Sequence, residues 1–127
     1  MKSKITLILI LALFVVSCVS YTRPMNSLRI SSGNPATITV ERDYLIAVAV
    51  PHVFMVDGEN FYIISAGDSF SFRIDPGIHL FGVKYWGWSL NPARPKTNDM
   101  RLSVLAGEIY NLMIESYFTG PRLRLIN

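Results

Sequence analysis

The chain has 127 residues, which is room for one domain. Half of it is hydrophobic, and its 12 Lys and Arg outnumber its 9 Asp and Glu by three. Two of those basic residues, Lys2 and Lys4, sit at the extreme N-terminus, so ten basic face nine acidic side chains elsewhere. That balance excludes a nucleic-acid-binding surface as the source of the basic character, and a single cysteine excludes a disulfide framework.

Met1-Lys2-Ser3-Lys4 is a short cationic start, followed by Ile5 to Val16, which only Thr6 interrupts. This is the charged region and apolar region of a secretory signal peptide, expected to be helical. A membrane-spanning helix is excluded on length. Twelve residues at 1.5 Å each reach about 18 Å, against a hydrocarbon core of roughly 30 Å. Val15-Val16-Ser17-Cys18 then resembles the bacterial lipobox, in which a small residue precedes the cysteine that ends the leader. The resemblance implies cleavage between Ser17 and Cys18, a diacylglycerol on the Cys18 thiol, and acylation (palmitate, for example) of the new amine. An ordinary secretory leader cut after Ser17 or Ser20 fits the same residues, but it leaves a lone thiol in an oxidising compartment. Two acyl chains give stable anchoring where one gives marginal anchoring. Position 19 is Val; in enterobacterial lipoproteins an Asp there commonly signals retention at the inner membrane. In a Gram-negative host Val19 therefore points to the outer membrane, facing the periplasm.

Residues 18–35 are expected to follow as a lipidated cysteine and flexible tether. Ser20, Pro24, Asn26, Ser27, Ser31, Ser32, Gly33, Asn34 and Pro35 punctuate the segment, and its apolar residues keep no period. As a coil, the seventeen residues from Val19 to Pro35 would reach about 20–25 Å.

From residue 36 to 127 the period is mostly two. Ile38 and Val40 alternate with Thr37, Thr39 and Glu41, and Tyr44 to Val50 reads as a strand covered on both faces, ending at Pro51. Val53–Val56, Asp57-Gly58 and Phe61–Ser65 predict a hairpin, because Gly accepts the positive φ of the turn. Gly67-Asp68 is a second turn, before the alternation of Phe70, Phe72 and Ile74. Asp75-Pro76-Gly77 predicts a type II turn leading into a long strand from Ile78 to Trp88. A proline-broken loop spans 89–99, and strands are expected over Arg101–Leu105, Ile109–Phe118 and Leu123–Ile126. The sum is a small all-β antiparallel sandwich of immunoglobulin or transthyretin type, with Phe54, Phe70, Phe72, Phe81, Tyr110 and Leu112 in its core.

The run Val56-Asp57-Gly58, an aromatic strand, Pro76-Gly77-Ile78-His79, then Ala106-Gly107-Glu108-Ile109-Tyr110 resembles a family of bacterial lipoprotein domains of unknown function, with motifs like those of the PEGA surface-layer domains. The chain departs from that pattern at Glu59-Asn60 and at Val50-Pro51-His52-Val53. The resemblance implies a β fold and a cell-envelope address, and it carries no catalytic residues across.

Reactive chemistry is sparse. His52 and His79 are the only histidines and lack the companions a metal site needs. Asp57, Glu59, Asp68 and Asp75 all sit in turns, where a carboxylate commonly bonds local backbone. Neither a nucleophile elbow nor a phosphate-cradling loop is present, so no enzyme, metal or cofactor is expected. Trp86 and Trp88 share one strand face and offer either core packing or a surface for a sugar or partner. Arg122 and Arg124 share one side of a final strand, where edge protection explains them. The expected protein is a non-enzymatic envelope lipoprotein, a structural or protein-interaction module held to the membrane by Cys18. The alternative is a small envelope glycan- or ligand-binding domain using Trp86 and Trp88. Partners would be the membrane and an envelope protein, with no nucleic acid.

Overall fold

A computed structural model describes residues 4, 21–44, 50–85, 99–117 and 120–126. Ser17, Cys18, Trp86 and Trp88 lie outside the described residues, as do the signal peptide apart from Lys4 and nearly all of the 89–99 loop. Of the strand expected over 44–50, residues 45–49 also lie outside them; Tyr44 itself follows a strand end and is exposed.

Strand β1 (Arg23–Pro24) is short; β2 (Ala36–Arg42) turns Ala36, Ile38, Val40 and Arg42 inward, as the period-two pattern dictates. β3 (His52–Val56) and β4 (Glu59–Ile64) form the expected hairpin. Both of its loop residues are left-handed, Asp57 at φ 51° and Gly58 at φ 84°, the pairing of a type I′ turn. The register slips between Phe54, opposite Tyr62, and Met55, opposite Asn60, so Phe61 is the extra residue of a bulge. With the pleat interrupted there, consecutive rings both reach across to β5 (Ser69–Ile74). Tyr62 stacks on Phe70 at 3.9 Å, and Phe61 meets Phe72 edge-on at 4.7 Å.

The Asp75-Pro76-Gly77 turn differs from expectation. Gly77 has φ 139°, far from the roughly +80° of a type II turn. The turn carries the chain from one sheet to the other, where it continues as β6 (Gly77–Tyr85). β7 (Met100–Val104), β8 (Ile109–Tyr117) and β9 (Gly120–Leu125) complete the fold. One sheet has the order β1-β4-β3-β6-β7 and the other β5-β2-β8-β9, and together they form a small β-sandwich. Every pair is antiparallel except β2 with β8, where Thr37 lies opposite Ile109 and Arg42 opposite Ile114.

Between the sheets Phe54, Phe70, Phe81 and Leu112 are buried together with Ile38, Val40, Val83 and Ile114. Phe72 and Tyr110 stay at the margin of this core. The Tyr110 hydroxyl accepts the Leu105 N–H at 2.9 Å, which keeps that ring's polar end at the surface. With one cysteine in the chain, burial of this kind stabilises the sandwich without a cross-link.

The tether expectation does not hold over residues 21–35. This segment runs along the sandwich and is held by it. Arg23 and Pro24 pair with Ile63 and Tyr62, adding a strand to the exposed edge of β4. Tyr21 N–H donates to Ser65 Oγ (2.8 Å), and the Thr22 hydroxyl bonds the Asp68 carboxylate. Asn26 Nδ2 donates to Glu59 (3.3 Å), and the Ser31 and Ser32 amides both donate to Asp75 at 2.9–3.0 Å. Leu28 packs against the core, and Asn34 accepts the Gly107 N–H. Composition misleads here because a polar segment loses little by leaving water when carboxylates and a free sheet edge satisfy its donors. The Ser32 and Ser31 amides also pull the Asp75 carboxyl below its ordinary value. Asp75→Ala is therefore expected to speed tryptic cleavage after Arg29 severalfold while leaving the melting of the sandwich nearly unchanged.

Candidate functional site

Three inward-facing rows end in polar residues at the same end of the sandwich. In β2 the row Ile38, Val40 continues to Arg42; in β8 Leu112 and Ile114 continue to Ser116; in β3 His52 precedes Phe54. Arg42 is 4% exposed and His52 not at all. Arg42 Nη1 donates to the Ile64 carbonyl at the end of β4 (2.9 Å). His52 Nε2 lies 3.1 Å from Ser116 Oγ, and the Ser116 N–H donates to Asp43 Oδ2 (3.0 Å). The Tyr85 ring meets the His52 ring edge-on at 4.8 Å, and its hydroxyl donates to the Tyr117 carbonyl (3.0 Å). Arg42 Nε and Nη2, Asp43 Oδ1 and His52 Nδ1 are buried with no side-chain hydrogen-bond partner among the described residues.

Electrostatics follow from that burial. Loss of water pushes His52 down from 6.5 to about 4, and the neighbouring Arg42 charge acts the same way. The Pro51 and Val50 carbonyls and Asp43 oppose them. Burial also pushes Arg42 below its ordinary value, against the pull of Asp43, Tyr85 and Asp68. At neutral pH this end of the core thus holds a neutral imidazole beside a guanidinium.

The His52–Ser116 separation equals that of a base and its nucleophile. A triad also needs an acceptor on the other ring nitrogen. Here the nearby carboxylate of Asp43 takes the Ser116 backbone N–H, and no carboxylate among the described residues bonds His52 Nδ1. What the arrangement does is tie β2, β3, β4 and β8 together across both sheets.

A second polar cluster closes the opposite end. His79 Nε2 donates to the Asp75 carbonyl (2.7 Å), and Nδ1 lies 2.7 Å from Asp57 Oδ2. Asp57 Oδ1 accepts the Leu80 N–H. His79 thus links the β3–β4 turn to the β5–β6 connection, and through Asp75 to Ser31 and Ser32. The four turn carboxylates do more than bond their own turns, since Asp57, Glu59, Asp68 and Asp75 all reach other elements. On the edge strand β9, Arg124 pairs with Glu115 at 2.6 Å, and Arg122 lies over the Tyr117 ring at 5.0 Å. Among the described residues no group of three His, Cys, Asp or Glu suits a metal ion, and no helix is long and apolar enough to cross a membrane.

The unfolded imidazole titrates near 6.5 and the folded one near 4, so between those values the unfolded chain holds the extra proton. Stability carried by neutral His52 is present in full above 6.5 and is lost as pH falls toward 4, by about 3 kcal/mol. Urea unfolding at pH 7 and pH 4 is expected to show this loss in the native chain and a smaller one in His52→Gln. Carboxylates titrate alike in both proteins and cancel from the difference. Compared with known proteins, the chain matches no family model and no curated protein.

Proposed function

We propose that this chain is a cell-envelope lipoprotein, held to a membrane by lipid on Cys18, whose β-sandwich is a non-enzymatic structural or protein-interaction module. The observation that carries the anchoring is the leader itself: a cationic start, twelve residues too few to span a bilayer, and the lipobox-like Val15-Val16-Ser17-Cys18. Likeness to the envelope lipoprotein domains through Asp57-Gly58 and Pro76-Gly77-Ile78-His79 supports the same address, and Val19 favours the outer membrane of a Gram-negative host. Support for an interaction role comes from the end of the sandwich farthest from residue 21. Ile78, Leu105 and Ile109 are large apolar side chains that remain exposed there, flanking the β5–β6 and β7–β8 connections.

Intact-mass spectrometry of the membrane-extracted chain is expected to show loss of residues 1–17 and a gain corresponding to a diacylglyceryl group on Cys18. Cys18→Ser is expected to move the protein from the membrane fraction to the soluble fraction. A bare thiol at Cys18 would overturn the anchoring. The interaction role is tested separately by Leu105→Asp combined with Ile109→Asp. This pair is expected to abolish a stoichiometric crosslink to an envelope protein that the native chain forms, with unchanged melting.

A further inference from the structure

At one end of the sandwich β2, β4, β6 and β8 finish and β3, β5, β7 and β9 begin. The N-terminal segment is fixed at this same end, since Tyr21 bonds Ser65 and Thr22 bonds Asp68 in the β4–β5 connection. From Tyr21 back to Cys18 there are only three residue steps, which span at most about 11 Å even when fully extended. A coil running from residue 19 to residue 35 would have set this end of the domain at twice that distance or more. The docked segment removes that freedom.

Among the described residues, tyrosines are prominent at this end. Tyr21 bonds Ser65, Tyr44 lies over Gly67, and the Tyr85 hydroxyl donates to the Tyr117 carbonyl, which places all four tyrosines here. Tyr44 is 78% exposed, Tyr21 58% and Tyr117 45%. The other two tyrosines, Tyr62 and Tyr110, are partly buried against the core. Exposed phenols have an apolar ring and a polar tip, the combination enriched where a bilayer's hydrocarbon gives way to headgroups. Arg122, stacked on Tyr117, adds an exposed cation, while Asp43 and Asp68 are occupied by Ser116 and Thr22.

We infer that the end of the sandwich bearing Tyr21, Tyr44 and Tyr117 is a bilayer-contact surface, seated in the headgroup layer of the membrane that holds Cys18. This rests on the lipid-anchored reading of Cys18. It adds an orientation: the tyrosine end faces the lipid, and Ile78, Leu105 and Ile109 point away from it.

The test uses the full lipidated chain in vesicles of phosphatidylethanolamine and phosphatidylglycerol. An environment-sensitive fluorophore is attached to an introduced thiol in Tyr44→Cys, Tyr117→Cys or Ile78→Cys. Cys18 does not compete, because its sulfur is alkylated. Lipids carrying a quencher near the headgroup are expected to quench the label at 44 and at 117 several times more than the label at 78. Equal quenching at both ends, in a chain whose mass shows lipid on Cys18, overturns the contact surface and leaves the anchoring standing. A bare Cys18 thiol overturns both. Two labelled sites at the tyrosine end keep the outcome readable if Tyr44→Cys disturbs the packing of that ring over Gly67.

Discussion

The course of the N-terminal segment follows from one constraint, the pinning of residues 21–35 by carboxylates that belong to turns. Asp68 holds Thr22, Glu59 holds Asn26, and Asp75 holds Ser31 and Ser32, so the segment is caught at both ends and near its middle. Each contact on its own is an exposed or half-exposed hydrogen bond of modest net worth. Together with the β1–β4 pairing they satisfy the backbone of an otherwise open sheet edge. A stretch without a hydrophobic period thereby becomes part of the fold.

The two ends of the sandwich are closed differently. At the tyrosine end the inward rows turn polar inside the core, and Arg42, His52 and Ser116 bond across sheets where water is excluded. Such a cluster is costly when any member lacks a partner, and several of its atoms have none among the described residues. At the other end the closure is near the surface, through His79 and two aspartates. The aromatic layer from Tyr62 and Phe70 to Phe54 and Phe81 lies between these two polar plugs.

Much of the sandwich could be read from residue order alone. Asp57-Gly58 placed the hairpin, and Ile38, Val40, Phe70 and Ile74 gave inward faces that the fold keeps. The same alternation carries a further signal at its polar ends. Arg42 continues the Ile38–Val40 row, and Ser116 continues the Leu112–Ile114 row, so both had to point inward unless their strands ended first. Partners distant in sequence left no such trace. Nothing local tells that Asp68 meets a threonine 46 residues earlier, or that Asp75 serves amides 43 and 44 residues away. For that reason turn carboxylates and a polar linker were legible separately, but not as each other's partners. The type II geometry expected at Gly77 failed for a related reason: the dipeptide fixes a bend, while the choice between a hairpin and a crossing to the second sheet is made by tertiary packing.

The parallel pairing of β2 with β8 bears on how the chain is made. Thr37 finds Ile109 only 72 positions later, and no short turn can join parallel neighbours. The centre of the four-stranded sheet therefore waits until nearly the whole polypeptide has been synthesised, and closing so large a loop slows its assembly. Until β8 emerges, β2 has only β5 beside it, so its other edge stays unpaired through most of synthesis.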